Sequence, residues 1–213
     1  MLKPIRWKSF LPDLLRIQVG FGLFGLAIAM MIRANLGTSA WAVLDVAISK
    51  IFPPITIGTV TVLMGFLVLS GALILREPIG WGTLGNILSI GPWEDLCLWL
   101  IPSVKNNLPL QIAMLMVAIA LMGLASAIYI GVDAGAGPRD SLMLAIKRKT
   151  GASIRVARGA IEVTVVLIGW LLGGPAGVGT VVFAILIGPA VQFGFKLFKV
   201  QPHRELDAEV EDG

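Results

Sequence analysis

Long uncharged runs, separated by short charged or glycine-rich breaks, are the dominant pattern along this chain. From Asn106 to Val132 no side chain carries a formal charge, and the run from Val163 to Phe195 is interrupted only by the turn sequence GGPAG at 173–177. A helix needs about 20 apolar residues to cross the hydrocarbon of a bilayer. Six runs reach that length, at 14–34, 57–75, 80–100, 108–132, 154–172 and 178–197. Two further segments, 40–50 and 138–149, are too short to cross. The pattern predicts an all-α membrane protein forming a single membrane domain over 1–213. It has six transmembrane helices and two short ones, placed after the first and the fourth spans.

Composition agrees with that class. At 56% hydrophobic and 14% charged residues, with a mean hydropathy of +0.88, the chain is too apolar for a soluble domain. A net charge of +4 would suit nucleic acid only with a basic groove and interleaved aromatics. Neither is visible, so no nucleic-acid partner is expected and the bilayer is the first partner. The lone Cys97 excludes an internal disulfide, and the lone His203 lies in a polar, acidic tail at 199–213. A Cys/His metal cluster and a histidine-based triad therefore cannot be assembled. No metal, no cofactor and no enzymatic activity are expected. The basic N-terminus, Met1 to Ser9, is followed by no small-residue cleavage site, so its first apolar run reads as a retained helix.

Charge then tests the phase of the spans. With the N-terminus cytoplasmic, fourteen of the seventeen basic residues fall inside, and only Arg33, Lys50 and Lys105 fall outside. Such a bias is what orients membrane proteins. Both termini and the run Lys147, Arg148, Lys149 are expected on the cytoplasmic side.

The chain also repeats itself. GLAIAMMIRANLGTSAWAVL from Gly25 lies over GLASAIYIGVDAGAGPRDSL from Gly123, and GWGTLGNILSIGP from Gly80 lies over GVGTVVFAILIGP from Gly177. Repeat one covers about 14–101 and repeat two about 108–198. Each holds three spans, and an odd number makes the second copy enter the membrane from the opposite side. The expectation is an inverted repeat of the kind found in many transporters, with a pseudo-two-fold axis in the membrane plane.

Candidate chemistry gathers at the breaks that follow the first span of each repeat. In the second repeat these are Gly135, Gly137, Pro138, Arg139 and Asp140, and in the first Asn35, Gly37, Thr38 and Ser39. Glycines permit a sharp turn, Pro138 suits the first position of a helix, and Lys147 to Lys149 suit its negative end. Each short helix is either re-entrant, dipping toward a wet cavity, or interfacial, with its basic end on headgroups. Arg155, Arg158 and Glu162 fall on one face of the fifth span. A carboxylate that deep is costly unless paired, and Arg158 stands at the right spacing for an i,i+4 pair. Glu162 and Arg158 are therefore either a charge relay or substrate contact, or a structural tie of this span to a neighbour such as Asp133 or Asp140. Glu94 and Asp95 follow Gly91-Pro92 in the third span, and the plainer reading leaves them at the surface. Asn86 and Gln192 read as hydrogen bonds between helices.

One apparent motif fails. GFGLFG at 20–25 matches a dinucleotide-binding pattern, but it lies inside a span with no strand before it. Its glycines, like those of GWLLG at 169–173, read as close helix packing.

At GAGPRDSLMLAIKRKTG, IRVARGAIEVTVVLIGWLLGGPAGVGT and ILIGP the sequence resembles the YczE/YyaS/YitT-type integral membrane proteins of bacteria, over about 18–198. The resemblance implies a multi-pass protein of the bacterial cytoplasmic (inner) membrane and supplies no catalytic residue. It departs from the family pattern where a proline-tryptophan-aspartate would follow the first glycine turn. Those positions read Ala40-Trp41-Ala42.

The reading that joins these features is a transporter of a small solute, working by alternating access around a midplane site. A helix N-terminus beside Arg139 favours an anionic group on that solute. The alternative is a non-transporting membrane partner that scaffolds another enzyme or complex. The sequence is compatible with a homo-oligomer.

Overall fold

The computed structural model describes residues 10–77, 79–135 and 137–200. Lys3, Arg6, Lys8, His203 and the tail from 201 onward, on which parts of the charge reading rest, lie outside the described residues. Those described form eight helices and no strand: α1 (Phe10–Ala34), α2 (Ala40–Ile51), α3 (Ile57–Ile74), α4 (Trp81–Leu100), α5 (Leu108–Ile130), α6 (Pro138–Thr150), α7 (Ile154–Leu171) and α8 (Val178–Phe198). Four of them, α1, α3, α5 and α8, are long and apolar enough to cross a membrane. α4 and α7 have the expected length and carry the charged residues of the third and fifth runs.

Local chemistry explains where several helices begin and end. The side chains of Thr56, Asn107 and Ser153 accept hydrogen bonds from the backbone N–H of Thr59, Leu110 and Val156. Each satisfies an otherwise orphaned donor of the first turn. α6 stops at Gly151, whose φ of +71° is the left-handed cap that glycine adopts without strain. Pro92 and Pro189 sit inside α4 and α8, where a proline removes one helical hydrogen bond.

The centre of the molecule is α1 against α4 and α5, with α8 on the far face of α5. Its core holds Ile17, Phe21, Met31, Leu115, Ile119, Met122, Phe183 and Ile187. A second group, α2 with α7 and α3, packs Trp41, Leu44, Val68 and Val165 together. Small residues set the close approaches, as lipid-embedded helices require. A Cβ on Gly58 would stand 2.1 Å from the Gly91 carbonyl oxygen, and one on Gly123 would stand 2.5 Å from the Ala190 backbone. Gly25 of the rejected motif meets the backbone of Glu94 in the same way, and Gly169 meets Leu44. Gly173 belongs to a turn instead, with φ +86° and open space around it. The outer faces carry exposed Leu67, Trp99, Leu171 and Ile185.

The two glycine turns make the same contact at different places. Gly37 and Gly135 have φ of +112° and +120°, each two residues after a left-handed Asn35 or Asp133. The Leu36 carbonyl accepts from Gly179 N–H at 2.7 Å, and the Ala134 carbonyl accepts from Gly82 N–H at 2.9 Å. Thr180 and Thr83 hydroxyls then accept from Gly177 N–H and Gly80 N–H. Each turn is thus docked on the first turn of α8 or α4.

Candidate functional site

α2 follows the first of these turns and is enclosed by protein, with Ala40 through Ala47 all buried. It brings Trp41 and Asp45 inside. α6 follows the second turn, with Pro138 as its first residue, and carries Arg139 on its first turn. The two short helices meet through these side chains. The Arg139 guanidinium lies 4.7 Å from the Trp41 ring centroid, within cation–π range, and one of its nitrogens is 3.5 Å from Asp45 Oδ2. The same oxygen meets Thr61 of α3, whose Oγ1 is 3.1 Å from Asp45 Oδ2 and 2.9 Å from Glu94 Oε2.

A second group comes from α5, α6 and α7. Tyr129 O–H donates to Asp140 Oδ2 at 3.3 Å. Arg158 Nε donates to Glu162 Oε1 at 2.9 Å, the i,i+4 pair that the spacing allows. Both groups border one cavity of about 160 Å³, walled by apolar Phe24, Ile90, Met122 and Phe183 and by polar Ser39, Thr61, Asn86 and Arg139. A mostly apolar pocket with a few convergent polar groups is the usual form of a small-molecule site.

The residues singled out in the sequence divide accordingly. Gly137, Pro138, Arg139, Asp140, Arg158, Glu162 and Ser39 line the cavity. Thr38 is fully buried beside it in sequence but is not part of the wall. Gly37 and Gly135 shape the turns and dock on α8 and α4. Asn35 lies apart from the cavity: its amide donates to Ser103 Oγ and to the Arg33 and Val104 carbonyls. Asn86 borders the cavity, whereas Gln192 is exposed.

Glu94 corrects the surface reading. It is 0% exposed, because α4 continues helically through Pro92 and turns Glu94 inward against α1 and α3. Asp95, next to it, is anchored differently, accepting from Gly58 N–H at 2.8 Å and from the Thr56 hydroxyl at 2.6 Å. Asp45 and Thr61 were also not among the predicted site residues. The available signal was weak: an acidic residue in a short, otherwise apolar segment, and a threonine in a span. Outside the spans, Arg148 meets Glu77 at 2.9 Å and donates to the Leu75 carbonyl, tying the end of α6 to the end of α3. Burial pushes the Glu77 carboxyl above its ordinary range, and Arg148 draws it part of the way back. Lys50 Nζ donates to the Gly173 carbonyl at 3.1 Å, bringing the end of α2 to the turn between α7 and α8.

Comparison with known proteins places the chain among bacterial relatives. A family described as "Family of unknown function (DUF6198)" matches residues 13–196. An uncharacterised protein of Haemophilus influenzae is 31% identical over 197 residues, 92% of this chain and 89% of its own length. The uncharacterised membrane protein YczE of Bacillus subtilis is 30% identical over 190 residues, 89% of this chain and 85% of its own. YyaS of the same species is 27% identical over 174 residues, 80% of this chain and 86% of its own. No solved structure matches.

Proposed function

This chain belongs to that family of unknown function, and from that premise we propose that it is a membrane transporter of a small solute. It would act by alternating access, and an anionic group on the solute is favoured. The observation that carries the reading is the cavity: it lies among apolar helices, takes its wall from both halves of the chain and presents Arg139, Asp140, Arg158 and Glu162 to its interior. Ionisable side chains are retained among membrane helices mainly where they serve a solute or ion path.

In this reading all six long helices cross the membrane as two inverted repeats of three. Support comes from the paired turns. Gly37 and Gly135 share a backbone conformation, and both dock on the start of the last long helix of a half. The orientation we infer puts both termini in the cytoplasm of a bacterial cell, with Lys50 and the α7–α8 turn outside. The reading is of a carrier without catalytic residues.

The test has two stages. Metabolites are profiled in cells with and without the protein, and whichever solute changes is offered to proteoliposomes containing it. Accumulation above that of protein-free vesicles supports transport. Background flux together with stoichiometric co-purification of another protein would favour the scaffold alternative.

A further inference from the structure

Asp45 and Glu94 lie behind the part of the cavity wall made by Trp41, Thr61 and Arg139, and neither carboxyl group borders the cavity itself. They are 1% and 0% exposed. A single hydroxyl stands between them, with Thr61 Oγ1 at 3.1 Å from one and 2.9 Å from the other. A threonine hydroxyl has one hydrogen to donate. It can serve one ionised carboxylate; toward a second it presents only lone pairs. Because both separations are hydrogen-bond distances, the second carboxyl must bring its own hydrogen.

Charge balance says which one. Among the described residues Arg139 is the cation that faces the pair, and its ion pair is with Asp45. Among the described glutamates, Glu77 has Arg148 and Glu162 has Arg158 within ion-pair distance, whereas Glu94 has no such partner. Glu94 Oε1 and Asp45 Oδ1 are also buried without a hydrogen-bond partner. An ionised oxygen left that way is costly, and a buried group escapes the cost by becoming neutral. The remaining surroundings do not alter the balance. α4 itself adds Asp95 and Cys97, a carboxylate and a thiol, and α3 adds the Thr61 hydroxyl. Along α1 the nearby charge is Arg33, which is bonded to the Leu98 carbonyl.

We propose that Glu94, Thr61, Asp45 and Arg139 form a proton-binding site, in which Glu94 carries a proton at neutral pH and Asp45 accepts a second when Arg139 leaves it for an anionic group in the cavity. Glu94 donates to Thr61 Oγ1, Thr61 donates to Asp45, and Asp45 holds Arg139. As Arg139 turns from Asp45 to an anion in the cavity, a hydronium ion there breaks one O–H bond, the proton forms an O–H bond on the Asp45 carboxylate, and a water molecule is left behind. The anion pairs with Arg139 as the proton neutralises Asp45, so the site is neutral before and after the exchange. Protons and an anionic solute therefore enter together. The role as a coupling site rests on the transport reading; the protons themselves do not.

Infrared spectroscopy of the full chain in lipid vesicles tests this. At neutral pH the C=O stretch of a protonated carboxyl should be present. It should shift on ¹³C labelling of glutamate side chains, disappear in Glu94→Gln and move in Thr61→Val. On acidification an aspartate band should appear that is absent in Asp45→Asn, and in Arg139→Gln it should appear at higher pH. The isotope measurement on the unsubstituted protein decides the point even if a variant fails to fold. A neutral-pH acid band that ignores glutamate labelling, or survives Glu94→Gln, overturns the proposal. So does one removed by sodium chloride at constant pH, which marks a cation site, or an Asp45 band indifferent to Arg139→Gln. These bands report side-chain protons and not solute movement, so their absence leaves the transport reading to the vesicle assay.

Discussion

Arg158 and Glu162 face the cavity one helical turn apart, and their half-exposed pair carries little stability. Helical pairs of this kind are worth about 0.3–0.5 kcal/mol. Glu162→Gln should therefore leave the melting temperature in detergent within about 2 °C of the unsubstituted protein while reducing solute flux at least tenfold. A large loss of thermal stability, partly restored by exchanging the two charges, would mark a structural tie instead. Glu77 yields a pH prediction of opposite character. Its folded pKa is raised above the unfolded value, so folding favours the protonated form. That contribution is complete below the ordinary glutamate value and is lost as pH rises through the folded value. Glu77→Gln, permanently neutral, should flatten the decline in melting temperature across that acidic window. An unchanged slope would remove Glu77 as its source.

The paired turns depend on glycine for two separate reasons. Gly135 has a φ of +120°, and a Cβ there would lie 2.7 Å from Gly80 Cα; Gly37 has +112°, with Thr180 Oγ1 at 2.7 Å. Backbone strain of this type costs roughly 1–3 kcal/mol, and an added Cβ would also meet backbone, Gly80 N at Gly135 and the Gly177 and Thr180 nitrogens at Gly37, all under 3.0 Å. Gly37→Ala and Gly135→Ala should each lower thermal stability measurably. Gly159 provides the contrast, since it is helical, with nothing within 4 Å of an added Cβ. Gly159→Ala should be neutral or stabilising by up to about 1 kcal/mol. If all three substitutions melted alike in detergent, the docking of the turns on α4 and α8 would not be what holds the short helices in place.

Across the bundle, hydrogen bonds sort the helix ends into two sets. Lys50 shares an end with the α7–α8 turn, and Arg148 shares another with the end of α3. The inferred orientation makes the first set external. With Cys97 replaced by serine, cysteines at Lys50 and Lys105 should react with an impermeant thiol reagent in intact cells, and one at Arg148 should react only after lysis. The reverse pattern would invert the protein in the membrane.

Hydropathy alone located the long and short helices, because lipid demands long apolar runs and glycine and proline mark their breaks. The predicted short segment at 138–149 and the observed Pro138–Thr150 differ by one residue, since Pro138 suits the first position of a helix and Gly151 supplies its left-handed cap. Arg158 and Glu162 were equally legible, because both partners lie on one helix and spacing determines their distance. The cluster around Glu94 was not. Thr61 lies 16 residues from Asp45 and 33 from Glu94, and their meeting depends on how three helices rotate about their axes. A linear pattern records depth along a helix but not which neighbour a side chain faces. Only packing turned Glu94 away from the surface, brought Arg139 over Trp41 and left one hydroxyl between two acids.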